Sequence, residues 1–245
     1  MAAPLVIDLS HHNPTPNWQQ IKVAGVVGII HKATEGTSFV DEDYEPRRQA
    51  AIAAGLSWSS YHFLKHGSVP QQMQHYAKTA NAGIGDRLIV DFEDTDCTFT
   101  DLEDAVQWLF ANTDCEVTVY GSNHLVDSVA GKTSPILSKT SLWQARYNAT
   151  KEPDVPTNIW PTWSLWQYTD KAIVPGISKP VDGNKWNGDP DKLPLWFSNK
   201  AVEPEPGPEP VPPAPQPEPA KSVSIDITTP AGVAVAITVN GVKHT

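Results

Sequence analysis

Along the first 130 residues the apolar positions follow two rhythms in turn. Short β-branched runs, whose side chains take opposite faces, alternate with stretches that repeat every three or four residues as a helix face does. PLVIDLS, VVGIIHKATEG, LSWSSYHF, RLIVDFE and CEVTVYG read as strands. Between them lie a short helix over Asn17 to Ala24, capped by Asn17, and DEDYEPRRQAAIAAG, a helix stopped by Gly55. PQQMQHYAKTANAG follows as a helix with Pro70 near its start and Gly83 at its end. Asp101 to Asn112 forms another, with Thr100 as cap and Glu103 completing a capping box, and SNHLVDSVAG adds one from Ser122. This alternation predicts a parallel sheet with right-handed crossovers.

After Gly131 the rhythm changes. SLWQARY and WSLWQY still read as strands, and a last one lies near Val181, but the connections are rich in Pro, Asn and Trp rather than helix formers. Seven or eight strands with about five helices predict an α/β fold, an irregular TIM-like (β/α)-barrel with a helix-poor second half. The alternative, an open doubly wound sheet, would want a Gly-rich phosphate loop after its first strand, and the sequence has none there. The barrel occupies residues 1–200. Residues 201–221 are almost entirely Pro, Glu, Ala and Gln, an extended semi-rigid linker. Residues 222–245 read as strand, turn, strand, Asn-Gly turn and a short remainder. So small a unit cannot build a stable core alone; it self-associates, docks on the barrel, or folds on a target.

Composition narrows the function. A net charge of −10 without a Lys/Arg cluster excludes a nucleic-acid partner. No apolar run reaches the roughly 20 residues that span a bilayer, so membrane insertion is not expected. MAAPLVIDLS lacks the charged and long apolar regions of a secretory signal, so synthesis and folding in the cytoplasm are expected. Cys97 and Cys115 flank a helix that returns the chain across the domain, too far apart for a disulfide, and are expected as thiols.

The candidate chemistry centres on RLIVDFED, residues 87–94. In a strand Ile89, Asp91 and Glu93 share one face, and at about 3.3 Å per residue the two acids stand roughly 6.6 Å apart at Cα. Such a pair suits glycoside hydrolysis, in which one carboxylic acid protonates the leaving oxygen and a carboxylate supports the positive charge developing at the sugar carbon. Other reactive side chains fall at strand ends, where parallel barrels place their sites: Asp8, Lys32 and Glu35, Tyr61, Tyr120, Tyr147, Gln167, and Asp182 in a Val-Asp-Gly-Asn turn. Tryptophans crowd the second half, and Trp143 and Trp166 are the foremost candidates to stack on sugar rings. His11 and His12 after Asp8, with His31, His62 and His66, allow a zinc hydrolase to be sketched. These histidines read instead as hydrogen-bonded structural groups, and neither a metal nor another cofactor is expected.

Taken together, VIDLS (6–10), KATEG (32–36), YHF (61–63), DFE (91–93), WQARY (143–147), WQY (166–168) and VDGN (181–184) resemble, in order, the glycoside hydrolase family 25 lysozymes, N-acetylmuramidases found among phage endolysins and bacterial autolysins. The resemblance implies a flattened barrel that cuts the β-1,4 bond between N-acetylmuramic acid and N-acetylglucosamine in bacterial peptidoglycan. It implies Glu93 as general acid and then base, and Asp91 as support for either a covalent glycosyl intermediate or an oxazolinium formed by the substrate's acetamido group. Asp8 and Asp182 would tune charge and hold the sugar. Lys32, Glu35, Tyr61, Tyr120, Trp143, Tyr147, Trp166 and Gln167 would line the substrate site. A phage enzyme released onto the wall during host lysis fits this pattern. A zinc-dependent amidase or deacetylase and a non-catalytic wall-binding barrel are the competing readings.

Overall fold

The computed structural model describes residues 4–147, 151–198, 227–234, 236–239 and 242–244. The chain divides into two compact units, Met1–Ala201 and Val202–Thr245. The predicted linker lies outside the described residues. In the second unit β10 (Ile237–Val239) pairs antiparallel with β11 (Val242–His244); the Asn-Gly turn expected from the sequence lies outside the described residues.

The first unit is a closed eight-stranded barrel with one short appended strand. Its strands are β1 (Val6–Leu9), β2 (Gly28–Glu35), β4 (Ser57–Phe63), β5 (Arg87–Asp91), β6 (Glu116–Gly121), β7 (Ser141–Ala145), β8 (Leu165–Ala172) and β9 (Val181–Trp186). The two-residue β3 (Phe39–Val40) folds back on the end of β2. Every neighbouring pair from β1 through β8 is parallel, but β9 runs antiparallel to both β8 and β1 and closes the ring. That corrects the expectation of an eighth strand ending at Asp182. The connection over residues 173–180 is too short for a crossover helix, so the chain turns back directly and Asp182 stands near the start of β9.

Helices α1 (Trp18–Val23), α2 (Tyr44–Ala53), α3 (Val69–Ala80), α4 (Phe99–Asn112) and α5 (Asn123–Val129) cover the first half. Asn17 caps α1, its side chain accepting from the Gln20 N–H. Gly55, at φ +76°, follows α2 as expected. Two boundaries differ from the sequence reading. Asn81 rather than Gly83 ends α3, adopting the left-handed conformation at φ 46° that asparagine tolerates better than other side chains. The capping box of α4 is Thr98 with Asp101, so the helix starts earlier than Thr100. Glu103 instead accepts a hydrogen bond from Ser134 Oγ.

Strand alternation sorts the core into layers. Leu88, Val90 and Phe92 face outward into the cluster built by α3 and α4, while Ile89 faces into the barrel with Val6, Ile30, Tyr120, Trp143 and Leu165. The far end of the barrel is plugged by α6 (Leu193–Phe197) through Leu193, Trp196 and Phe197. Gly28 has no side chain because the Phe197 ring occupies that space. With one end closed by these side chains, the acids gather at the other. Cys97 and Cys115 are both buried thiols, donating to the carbonyls of Leu64 and Gly83 respectively.

Candidate active site

The reversal of β9 places Asp182 directly opposite Asp8 on β1, so the first and last strands of the ring each contribute a carboxyl side by side. Asp91 is the last residue of β5, and Glu93 lies just beyond it. These four acids line one cavity of about 150 Å³ together with Tyr61, Tyr120, Trp143, Tyr147 and Gln167. Glu93 and Tyr147 also border a neighbouring cavity of about 620 Å³, whose walls include Ser122, Asn123, Gln144, Arg146 and Asp154.

Hydrogen bonds give the carboxyls unequal surroundings. Gln167 Nε2 donates to both oxygens of Asp8 at 3.0 Å, and Asn184 Nδ2 donates to Asp8 Oδ2 at 2.8 Å. Both amides are oriented by groups behind them. Tyr120 and Tyr147 hydroxyls donate to Gln167 Oε1 at 2.8 and 2.7 Å, and Trp143 Nε1 donates to Asn184 Oδ1 at 2.7 Å. Asp91 has no such support: its Oδ1 is buried without a hydrogen-bond partner.

Burial of several acids in so small a space disfavours their charged forms. Asp8 is pushed well above the usual carboxylate range by burial and by Asp182, against the lowering effect of Gln167 and Asn184. Asp91 is also pushed well up, by burial first and the Glu93 charge second, with Lys32 opposing. Burial raises Asp182 to about 6, helped by Asp170 and opposed by its hydrogen bond with Asp8. Glu93 is raised by burial and held down by a hydrogen bond from Ser122 and by His124. Tyr61 and Tyr120 are raised by burial and by the surrounding acids, so both remain phenols.

Most of the residues singled out from the sequence therefore meet at one end of the barrel. Lys32 and Glu35 pair with each other beside the cavity rather than lining it. Trp166 does not reach the cavity. Its neighbour Gln167 faces inward, so strand alternation turns Trp166 outward, where it packs near Trp163 and Tyr168 and donates to the Arg146 carbonyl. Trp143 does line the cavity, but its N–H is engaged by Asn184 and its ring lies against Tyr120, with centroids 4.3 Å apart. Asn184 and Ser122 escaped the sequence reading. Asn184 stands two residues after Asp182 in the same strand and thus on the same face, a signal that the VDGN segment carried.

The sequence model of "Glycosyl hydrolases family 25" matches residues 7–177. The chain belongs to this family. Lysozyme M1 of Streptomyces globisporus is 28% identical over 212 residues, covering 80% of this chain and 71% of that protein. The N,O-diacetylmuramidase of Chalaropsis sp. is 23% identical over 197 residues, covering 72% of this chain and 93% of its own. The crystal structure of a bacterial lysozyme from Streptomyces coelicolor superposes with a TM-score of 0.72 at 28% identity, covering 80% of this chain and 97% of that one. This family 25 protein is a glycoside hydrolase of the lysozyme and muramidase type.

Two buried histidines of this family member, His31 and His62, are tied into its framework. His31 accepts from Arg47 and donates to the Lys32 carbonyl; His62 accepts from the Thr34 hydroxyl and donates to Gln72. Burial lowers each to about 4, so both are neutral. His62 and His66 stand four apart, a metal-binding spacing on a helix, but they leave a strand and diverge: His66 is exposed near Asp101.

Proposed function

We propose that the enzyme hydrolyses the β-1,4 bond between N-acetylmuramic acid and N-acetylglucosamine in bacterial peptidoglycan with retention, using Glu93 as acid and base and Asp91 to support the intermediate. The observation that carries this reading is the unequal environment of the two acids. Glu93 is partly open, borders both cavities and is within reach of Ser122, as a group that must meet a glycosidic oxygen and later a water should be. Asp91 is buried with an unsatisfied oxygen, as a group awaiting a donor from the substrate should be.

Burial disfavours the charged form of both Asp91 and Glu93, whereas the reaction needs Asp91 ionised and Glu93 protonated. Substrate promotes that division by two physical effects. The N–H of the 2-acetamido group, donated to Asp91 Oδ1, stabilises the carboxylate, and the sugar ring displaces water from Glu93 and stabilises its acid form. Asp91 then holds the acetamido group while its oxygen attacks the anomeric carbon, forming an oxazolinium as Glu93 gives its proton to the departing sugar oxygen. Water activated by Glu93 reopens the ring and restores the acid.

The test is product analysis. Digested peptidoglycan should carry N-acetylmuramic acid at every new reducing end, and Glu93→Gln should abolish turbidity loss on purified walls while the protein still folds. Release of N-acetylglucosamine ends, or an active Glu93→Gln enzyme, would overturn the assignment. A chelator should leave activity intact, which a zinc amidase could not tolerate. The proposal extends to setting and targeting. A bacterial host expressing the chain should stay intact until its inner membrane is opened, as for a phage lysin, and lysis without such opening would refute that setting. Residues 222–245 are assigned to wall targeting, so their removal should weaken sedimentation with walls. If removal instead converts an oligomer to a monomer, self-association is their role.

A further inference from the structure

The chemistry above leaves His11 and His12 without a part, although they directly follow the strand that carries Asp8. In the folded chain His11 lies between His12 and Phe39 in the contacts it makes: the two imidazole centroids are 3.9 Å apart, and His11 lies 5.6 Å from the Phe39 ring. Phe39 is 41% exposed, and its neighbour Val40 is 46% exposed. A single exposed apolar side chain needs no explanation, but a cluster of rings held in place at the rim of an active site does.

The cluster is held firmly. Both the backbone N–H and Nδ1 of His11 donate to Asp41 Oδ2, at 2.9 and 2.8 Å. Asp41 N donates to the Ala33 carbonyl of β2, and His75 Nε2 on α3 donates to the Phe39 carbonyl at 3.0 Å. β3 is thereby pinned on both sides, and its phenyl ring stays presented to solvent without having to be ordered on binding.

The cluster is also continuous with the catalytic site. Lys32 Nζ sits 5.4 Å from the Phe39 ring centroid, and the same ammonium acts on the Asp91 carboxyl. The order of strands around the barrel, β7-β6-β5-β4-β2-β3, puts the catalytic strand β5 between the cavity at Arg146 and Tyr147 and the rings at β3. A glycan crossing the mouth over β5 would leave the site on the side where these rings stand.

We propose that His11, His12 and Phe39 form a stacking platform for a further N-acetylhexosamine ring of the same glycan, beyond the pair whose bond is cut. The C–H face of a pyranose is apolar and pairs with aromatic rings, while the exposed imidazole N–H of His12 suits a sugar hydroxyl or acetamido oxygen. This inference rests on the muramidase reading, and its test separates the two. The full chain is assayed on peptide-free peptidoglycan glycans, a tetrasaccharide and long strands, as wild type, Phe39→Ala, His12→Ala and Phe39→Trp. A ring contact of ordinary strength corresponds to about a 2- to 10-fold change in affinity. Phe39→Ala and His12→Ala should therefore lower the ratio of kcat/KM on long strands to that on the tetrasaccharide by about that factor, through KM, and Phe39→Trp should restore it. Wild type that releases no muramic reducing ends refutes the muramidase reading. Wild type that releases them, with Phe39→Ala showing the wild-type length preference, refutes the platform alone.

Discussion

Asp182→Asn should make this protein more stable while damaging its activity, and the gain should depend on pH in a specific direction. In the folded chain Asp182 stands opposite Asp8, within reach of Asp170 and Glu93, and its pKa rises from the ordinary 3.8 to about 6. A rise of that size corresponds to about 3 kcal/mol between protonated and ionised forms. Asp182 is only partly buried, so solvent screening reduces this to about 1–2 kcal/mol. The sign follows from linkage: a group whose pKa is raised by folding adds its stability below its unfolded value, near 4, and loses it as pH climbs through about 6. At pH 8 the wild type therefore bears the full burden of an ionised Asp182, and the asparagine variant bears none. Its amide also offers Asp8 a donor in place of a second negative charge. For a barrel of this size 1–2 kcal/mol is about 2–8 °C in Tm. Thermal unfolding of both proteins from pH 4 to pH 8 provides the assay. The difference should be largest at pH 7–8 and close by pH 4. An Asp182→Asn protein that melts no higher at pH 8, or whose advantage persists unchanged at pH 4, would refute the electrostatic reasoning.

Three further outcomes are expected of this structure. Asn184→Leu leaves the Trp143 N–H without its acceptor and removes a hydrogen bond from Asp8, for a loss of about 2–4 kcal/mol measurable by urea unfolding. Gly28→Ala drives a methyl into the Phe197 ring, so α6 must shift; about 1–3 kcal/mol of stability should be lost with the pH profile of activity unmoved, since the plug lies at the opposite end from the acids. Gln167→Glu puts a carboxyl where Asp8 now receives an amide, and the folded variant should recover activity only on acidification, as a pH series of turbidity assays would show.

The fold was legible because its alternation of periods is local. Strands such as Gly28–Glu35 and helices such as Val69–Ala80 announce themselves through nearest neighbours, and parity along β5 correctly turns Ile89 inward and Phe92 outward. Cap positions were less legible, since Thr98 with Asp101 and Thr100 with Glu103 offer nearly the same local signal, and Glu103 is drawn off by Ser134, a residue distant in the chain. Trp166 shows the limit on the other side. Its residue type suits a sugar site, but a single step of strand register gives the inward position to Gln167.

What the sequence determined by itself was the set of acids and the barrel that would gather them, because residue chemistry and periodicity act over a few residues. The direction of β9 and the pairing of Asp8 with Asp182 were decided only in the folded chain. So were the clamp of Gln167 and Asn184 on Asp8 and the buried, unpartnered oxygen of Asp91. Each of these joins residues from distant parts of the chain or depends on how much water reaches a carboxyl. Both are set by the closure of the ring, which brings the first strand against the last and leaves one end polar.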